Sequence, residues 1–500
     1  MNKAIIELGN KIDIATDSKD TQALKDCIAL SQEMESTGNL SNDEKAILFY
    51  FTGNAWASLD HILNYESFSW LYKRKEFEKA IIYYRRVLGV EKLNDFISKN
   101  ILSQNYTNLG NMFSQAGRII AAIDYWDKAL LVYPDFGMAK CNKAHGLIYY
   151  SKMLYDKSHQ TIMLKNAYKL LKTSIEDNTI HKKAKITFRN DIKYIGSLFK
   201  KENLESEITF KKFSLGKSKK EIAYRKWVIK NKLFINPLND ILQVDVVSHD
   251  VLGLPNLRIR DNPAPIYHGF FSQIKQEYIT LRYLFYKYLI KNETKIHFSD
   301  EGRHLNNTLD YPQFGLRYEY LKLSFRMAYS LFDKISYFLN KYLDLGFSPD
   351  EVSFRKIWFI KKGNDYFINP KIQELNNLPL RGLYFLSKDL YEKNEEYSTS
   401  IEPESYKLAE IRNHIEHKYF KIHWDMWSGK TEHTGDQSMD MNIDNWSYSL
   451  YENDFAHKTS KIINLAREAI IYLSLALHHE EIKEKANSIT MPLIITEYDF

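Results

Sequence analysis

The sequence predicts an all-α protein: paired-helix repeats followed by a four- or five-helix bundle. Three observations carry that expectation. Glycine and proline are scarce, 19 and 11 in 500 residues, so few positions break a helix. Apolar residues recur at i, i+3, i+4 and i+7 over long windows, most clearly at Leu321, Phe325, Ala328, Phe332, Ile335 and Leu339. The N-terminal region also carries a helix-pair pattern whose clearest copy spans residues 103–136. A chain of this length holds two or three domains. The boundaries read as 1–200 for the repeats, 201–265 for a connector packing on the next domain, and 266–500 for the C-terminal helical domain.

Residues 103–136 match one unit of the tetratricopeptide (TPR) template. Tyr106, Leu109, Gly110, Phe113, Ala122, Trp126, Ala129 and Pro134 take its expected positions. Gly110 and Ala122 allow close helix packing, and Pro134 ends the second helix. A weaker copy precedes it, with Gly53 and Trp56 on one helix and Ala80 and Tyr84 on the next. A degraded copy follows from Ala139 to Leu171. Such units bury their faces only against neighbours, so about three are expected. They serve either as a partner-binding surface or as a plain scaffold.

The connector changes character. KWVIKNKLFINPLNDI reads as a strand or short helix closed by an Asn-Pro turn. ILQVDVVSHDVLGLPNLRI reads as extended segments, and His249-Asp250 within it as a loop pair rather than a site. DNPAPI marks the boundary. Long helical patterns then resume at Phe270–Asn292, Leu316–Leu345, Leu380–Lys393, Ser405 to about Trp424, and Phe455 to about Lys485. Residues 428–447 read as a polar loop or flap, and the tail MPLIITEYDF as one short strand or strap.

Composition narrows the class. Hydrophobic content of 44% and charged content of 26% suit a globular protein. A net charge of +6 permits nucleic-acid contact without arguing for it. Only Cys27 and Cys141 are present, which points to a reducing cytoplasm and no disulfide framework. The start MNKAIIELGNKIDIATDSKD lacks the apolar core of a secretory signal, and no apolar run reaches membrane-spanning length.

The octapeptide Arg412-Asn413-His414-Ile415-Glu416-His417-Lys418-Tyr419 concentrates the chemistry. Metal-independent RNA cleavage needs a base for a ribose 2′-hydroxyl and a fixed cation for the phosphate. His suits the first task and the planar Arg fork the second. On one helix Arg412 and His417 lie about 140° apart, whereas Asn413 and His417 stack, and Arg412, Glu416 and Tyr419 form an adjacent row. One helix thus offers two rims of a cleft and cannot enclose a substrate. The bland alternative is a solvated helix face with an Arg412–Glu416 pair.

This R-N-x-x-x-H-x-Y string, with FDKISYFLNKY, RGLYFLSKDL and REAIIYLSLAL around it, resembles the HEPN superfamily of small helical ribonuclease domains over about residues 266–490. The resemblance implies a metal-independent endoribonuclease leaving a 2′,3′-cyclic phosphate. In it Arg412, Asn413 and His417 are catalytic, and Glu416 and Tyr419 line or regulate the site. It implies a homodimer with a composite cleft, an RNA substrate, and a toxin-like or antiviral defence setting. It also implies a possible protein partner or antitoxin on the TPR-like region, and Tyr419 matches a position that partner antitoxins modify in similar toxins. A non-catalytic RNA- or partner-binding scaffold is the alternative.

Other constellations are weaker. His414, His417 and His423 lack a fourth ligand at a zinc-like spacing, as does the His478-His479 pair, so neither metal nor cofactor is expected. Gly429-Lys430-Thr431 lacks the upstream glycine of a phosphate loop. Asp333 reads as a helix-surface charge, or as an acid orienting Arg412 from a neighbouring helix. Trp424 and Trp427 either stack RNA bases or bury against the next helix.

Overall fold

The computed structural model describes residues 2–64, 72, 74–258, 265–290, 296–306, 310–391, 405–425 and 446–483. Trp427, Gly429-Lys430-Thr431 and the tail MPLIITEYDF lie outside them.

The N-terminal region is a run of TPR-like helix pairs. They are α1 (Lys3–Ser18) with α2 (Thr21–Thr37), α3 (Asn42–Leu63) with α4 (Lys75–Leu88), α5 (Ser103–Gln115) with α6 (Ile119–Val132), and α7 (Gly137–Met153) with α8 (Lys157–Ser174). Local chemistry sets their starts. The Asp20 carboxylate accepts from the Gln22 and Ala23 amides at the head of α2. Ser41 and Glu44 form a capping box on α3. Trp126 of α6 is the wedge of the stack, 2% exposed, with its indole against α5 and α7. A Cβ at Gly110 or Gly146 would collide with that ring, so glycine is needed on both neighbours. The helix α9 (Lys182–Leu198) follows, burying Phe188 and Ile195.

Of the strand or short helix expected in the connector, the helix forms, and the extended stretch after it makes no strand element among the described residues. Residues Lys219–Lys230 form a helix, α10, started by a Ser218–Glu221 capping box. The chain beyond is irregular, with single 3-10 turns at Pro237–Asp240 and Asp245–Val247. Its apolar, β-rich composition satisfies burial rather than pairing. Leu233, Phe234, Ile235, Leu238 and Val247 enter the core, and side chains take the backbone bonds a ladder would have made. Asp250 accepts the Ile235 amide at 2.7 Å and holds Arg282 through two 2.8 Å bonds. The Asp250 carboxylate is therefore a structural anchor.

The C-terminal region packs α11 (Ile266–Leu289), α12 (Leu316–Tyr342), α13 (Leu378–Tyr391) and α14 (Ser405–His417) around α15 (Glu452–Lys483). Two small sheets interrupt the helices. Strands β1 (Phe359–Lys362) and β2 (Asp365–Ile368) form an antiparallel hairpin turning at Gly363, whose φ is +64°. Strands β3 (Tyr419–His423) and β4 (Ser447–Tyr451) pair in parallel. The expected helix from Ser405 to about Trp424 therefore ends at His417. The Lys418 amide closes its last turn on the His414 carbonyl at 3.1 Å, and the aromatic and β-branched run YFKIH then pairs with SYSLY.

Polar groups buried on α15 knit these parts together. Arg467 donates to the Phe234 and Asn236 carbonyls at 2.6 and 3.1 Å and to Asp240 at 2.7 Å. The Tyr150 hydroxyl donates to the other Asp240 oxygen at 2.9 Å. Glu468, with Asp389 of α13, holds Arg118 from the loop before α6. The Tyr472 hydroxyl accepts the Ile120 amide at 3.1 Å. At Gly117 and Gly382 the two backbones approach too closely for any Cβ, and Gly117 has φ +84°.

Breaking one buried ion pair leaves its partner charged and dry. Arg467→Ala is expected to destabilise the fold by about 3–5 kcal/mol. Thermal melting and urea titration read the loss. An unchanged melting temperature would show that Asp240 is not held by Arg467 in solution.

Candidate functional site

Helix α14 is seated by Leu408 and Ile411, both fully buried. That seating turns the next edge outward, and Arg412, Glu416 and His417 occupy it. Arg412 Nε lies 3.0 Å from Glu416 Oε2, and His417 Nε2 lies 3.6 Å from the same oxygen. Arg412 and His417 are thus brought to one spot by the carboxylate between them, although five residues separate them. Asn413 is exposed, and its Oδ1 accepts from Arg412 Nη1 at 3.2 Å. Its amide faces the guanidinium.

The opposite wall comes from α12. The Arg412 guanidinium lies 5.8 Å from the centre of the Tyr329 ring. Arg326, one turn earlier, places Nε 3.8 Å from Glu416 Oε1. Asp333, one turn later, is partly buried rather than a plain surface charge, and accepts the Phe354 amide at 3.3 Å. Burial pushes its carboxyl pKa up, the Phe354 amide and the Arg412 charge oppose that rise, and Glu416 adds to it. Asp333 therefore acts on Arg412 through space, while Glu416 makes the close ion pair with the guanidinium. Sequence reasoning missed Arg326. The available signal was a polar stripe, Arg326, Ser330 and Asp333, at helical spacing on a helix with a heavily apolar opposite face.

The remaining motif residues separate. His414 turns away, its Nδ1 3.0 Å from the Glu410 carbonyl oxygen and its ring 5.0 Å from Tyr448 of β4. Tyr419 does not share the Arg412–Glu416 row, because the helix has ended. It opens β3, stays exposed, and has Lys421 Nζ 5.0 Å from its ring centre. Lys421 is buried and pairs with Asp310 at 2.6 Å. The other edge of β3 is used at Ile422, whose carbonyl accepts the Gln313 amide at 2.7 Å. Trp424 is half exposed and donates to the Tyr318 hydroxyl at 3.0 Å. His423 is buried on β3, and burial first of all lowers its imidazole pKa. The three histidines of the region thus point to different surroundings, and among the described residues no three His, Cys, Asp or Glu side chains gather as a metal-holding group.

Residues 259–480 match the family model described as LA2681-like HEPN. The C-terminal part of the chain is therefore a HEPN domain, and the match includes every residue of the candidate site. No curated protein matches the chain. No helix among the described residues is long and apolar enough to cross a membrane.

The Lys421–Asp310 pair anchors the middle of β3, the strand that follows the site helix. Lys421→Ala is expected to cost about 3 kcal/mol, the low end for breaking a buried pair. It should also speed hydrogen exchange at the Gln313 amide. Exchange unchanged at Gln313, with an unchanged melting temperature, would contradict that anchoring role.

Proposed function

We propose that the protein is a metal-independent endoribonuclease of HEPN type. The observation that carries this reading is the meeting of Arg412 and His417 at one exposed edge, across Glu416 Oε2, within residues matched to a HEPN family. His417 takes the proton of a ribose 2′-hydroxyl as general base. The 2′-oxygen attacks the adjacent phosphorus, the bond to the 5′-oxygen breaks, and that oxygen leaves with a proton from a general acid. The products are a 2′,3′-cyclic phosphate and a 5′-hydroxyl end. Arg412 holds the phosphate as charge grows on it, and its fork suits two phosphate oxygens at once. Asn413 steadies the guanidinium or donates to a phosphate oxygen.

One edge of one helix supplies a single imidazole, whereas the reaction needs a base and an acid. A two-fold dimer through the C-terminal domain brings two such edges to one cleft, with one His417 in each role. We divide the chain into a TPR-like region (1–200), a connector (201–265) and the HEPN domain (266–500). The first of these senses a signal or holds a protein partner or antitoxin, in a toxin-like or antiviral setting within the cytoplasm. Tyr419, exposed at the start of β3 beside the catalytic edge, is open to modification by such a partner.

His417→Ala is expected to lower cleavage of single-stranded RNA about 10²- to 10⁴-fold, the worth of general acid–base catalysis, with folding retained. Arg412→Ala should also abolish cleavage, and Arg412→Lys should rescue it poorly. His414→Ala, facing Tyr448, should matter little. Equal effects at His414 and His417, or none at either, would leave the domain as a non-catalytic binding scaffold. Cleavage should persist in EDTA. Complete loss with chelator, restored by a divalent ion, would overturn the metal-free chemistry.

Light scattering at micromolar concentration should give a dimer. A monomer with full activity would rule out the composite cleft.

A further inference from the structure

Two arginines and a histidine converge on one carboxylate at the site edge. Arg412 Nε and His417 Nε2 approach Glu416 Oε2 at 3.0 and 3.6 Å, and Arg326 Nε approaches Oε1 at 3.8 Å. All three are open to solvent, with side chains 44% exposed for Arg326, 32% for Arg412 and 67% for His417. Glu416 beneath them is only 18% exposed. The arrangement is a shallow cradle of positive charge, open outward, whose occupant is an anion from the chain itself.

The walls of the cradle are rigid. Arg326 lies on α12, whose Phe325 and Ala328 are fully buried on either side of it. Arg412 follows the fully buried Ile411 on α14 and rests against the Tyr329 ring. Glu416 is the adjustable element, a long side chain on the last turn of a helix that ends one residue later. A carboxylate at a helix C-terminus also meets the unfavourable end of the helix dipole. Its placement there is offset by the two guanidinium groups.

A phosphodiester presents the same recognition features as this carboxylate: two terminal oxygens sharing one negative charge. We propose that Arg326 is a second phosphate-holding residue of the site, and that Glu416 is a built-in competitor that occupies the phosphate position until RNA displaces it. This rests on the reading of the site as RNA-binding. It adds a substrate contact from a second helix and a self-restraint that keeps the cations from binding stray anions. The Glu416 side chain swings outward when a backbone phosphate enters, and Arg326 and Arg412 then grip that phosphate from two sides.

The test is binding of a 2′-O-methylated single-stranded RNA oligonucleotide, which cannot be cleaved, across a salt series. Glu416→Gln keeps size and shape and removes the competing charge. It is expected to tighten binding about three- to tenfold at low salt, as for loss of one partly exposed competing charge. Arg326→Ala should weaken binding and flatten the slope of log Kd against log salt by about 0.7, the value for one phosphate contact on a single strand. Arg326→Lys should keep that slope, since the charge remains. Arg189→Ala, far off in the N-terminal region, should change neither. Unchanged melting temperatures for Glu416→Gln and Arg326→Lys secure the comparison. If the wild-type protein binds but Glu416→Gln binds equally or less tightly, Glu416 orients Arg412 and does not compete. If Arg326→Ala keeps the full salt slope, Arg326 holds no phosphate. Either result overturns this inference and leaves the ribonuclease reading standing. If neither wild type nor Glu416→Gln binds the oligonucleotide, the RNA reading itself fails, and this inference with it.

Discussion

A buried helix with polar side chains must find partners for every one of them, and α15 is such a helix. Its apolar residues from Phe455 to Leu477 fill the centre of the bundle. Among them stand Arg467, Glu468, Tyr472, Ser474, Glu480 and Glu481, each buried or nearly so. Each ties down a different segment. Arg467 takes the connector, Glu468 and Tyr472 the loop before α6 and its first turn, Ser474 the Gly253 carbonyl, Glu480 the Asn377 amide, and Glu481 both Tyr342 and Arg258. An unpaired member would cost more than its bond contributes. The register of α15 is thereby locked against all of its neighbours at once.

That locking reaches the candidate site through α12, α14 and the β3–β4 ribbon. Helix α12 packs on α15 along Phe325, and Phe455 of α15 lies 4.9 Å from Phe420 of β3, ring centre to ring centre. Phe420 and Tyr448 stack in turn across the two strands. The edge with Arg412, Glu416 and His417 is therefore supported from beneath by aromatic contacts, while its outer surface stays polar and open.

Much of this was legible in the sequence. The apolar periodicity located α12 and α15 to within a few residues, because both are long and strongly one-sided. The Gly110, Ala122 and Trp126 pattern identified the paired helices, since close packing leaves little choice of residue type. The string from Arg412 to Tyr419 singled out the candidate site, and the family match spans those residues. Three features were not legible, each for a non-local reason. The end of α14 at His417 depends on pairing with Ser447–Tyr451, which a local window does not contain. The connector read as strand or short helix because its residues are apolar and β-branched, yet among the described residues they go into the core rather than into a strand element. Arg326 belongs to the site only because α12 and α14 lie side by side.

The contact between Arg118 and the pair Asp389 and Glu468 bears on how any signal could cross this molecule. Arg118 and Asp389 are each about as dry as the apolar core, with side chains 1% exposed. Undocking the helical repeats would strand a guanidinium on one side and two carboxylates on the other. A release of one region from the other, as in a hinged latch, would thus be a steep uphill step. Transmission by small shifts within a continuous solid is the less costly route. A partner seated on the repeats would act on α13 and α15 as a load acts on a beam, bending what it does not detach.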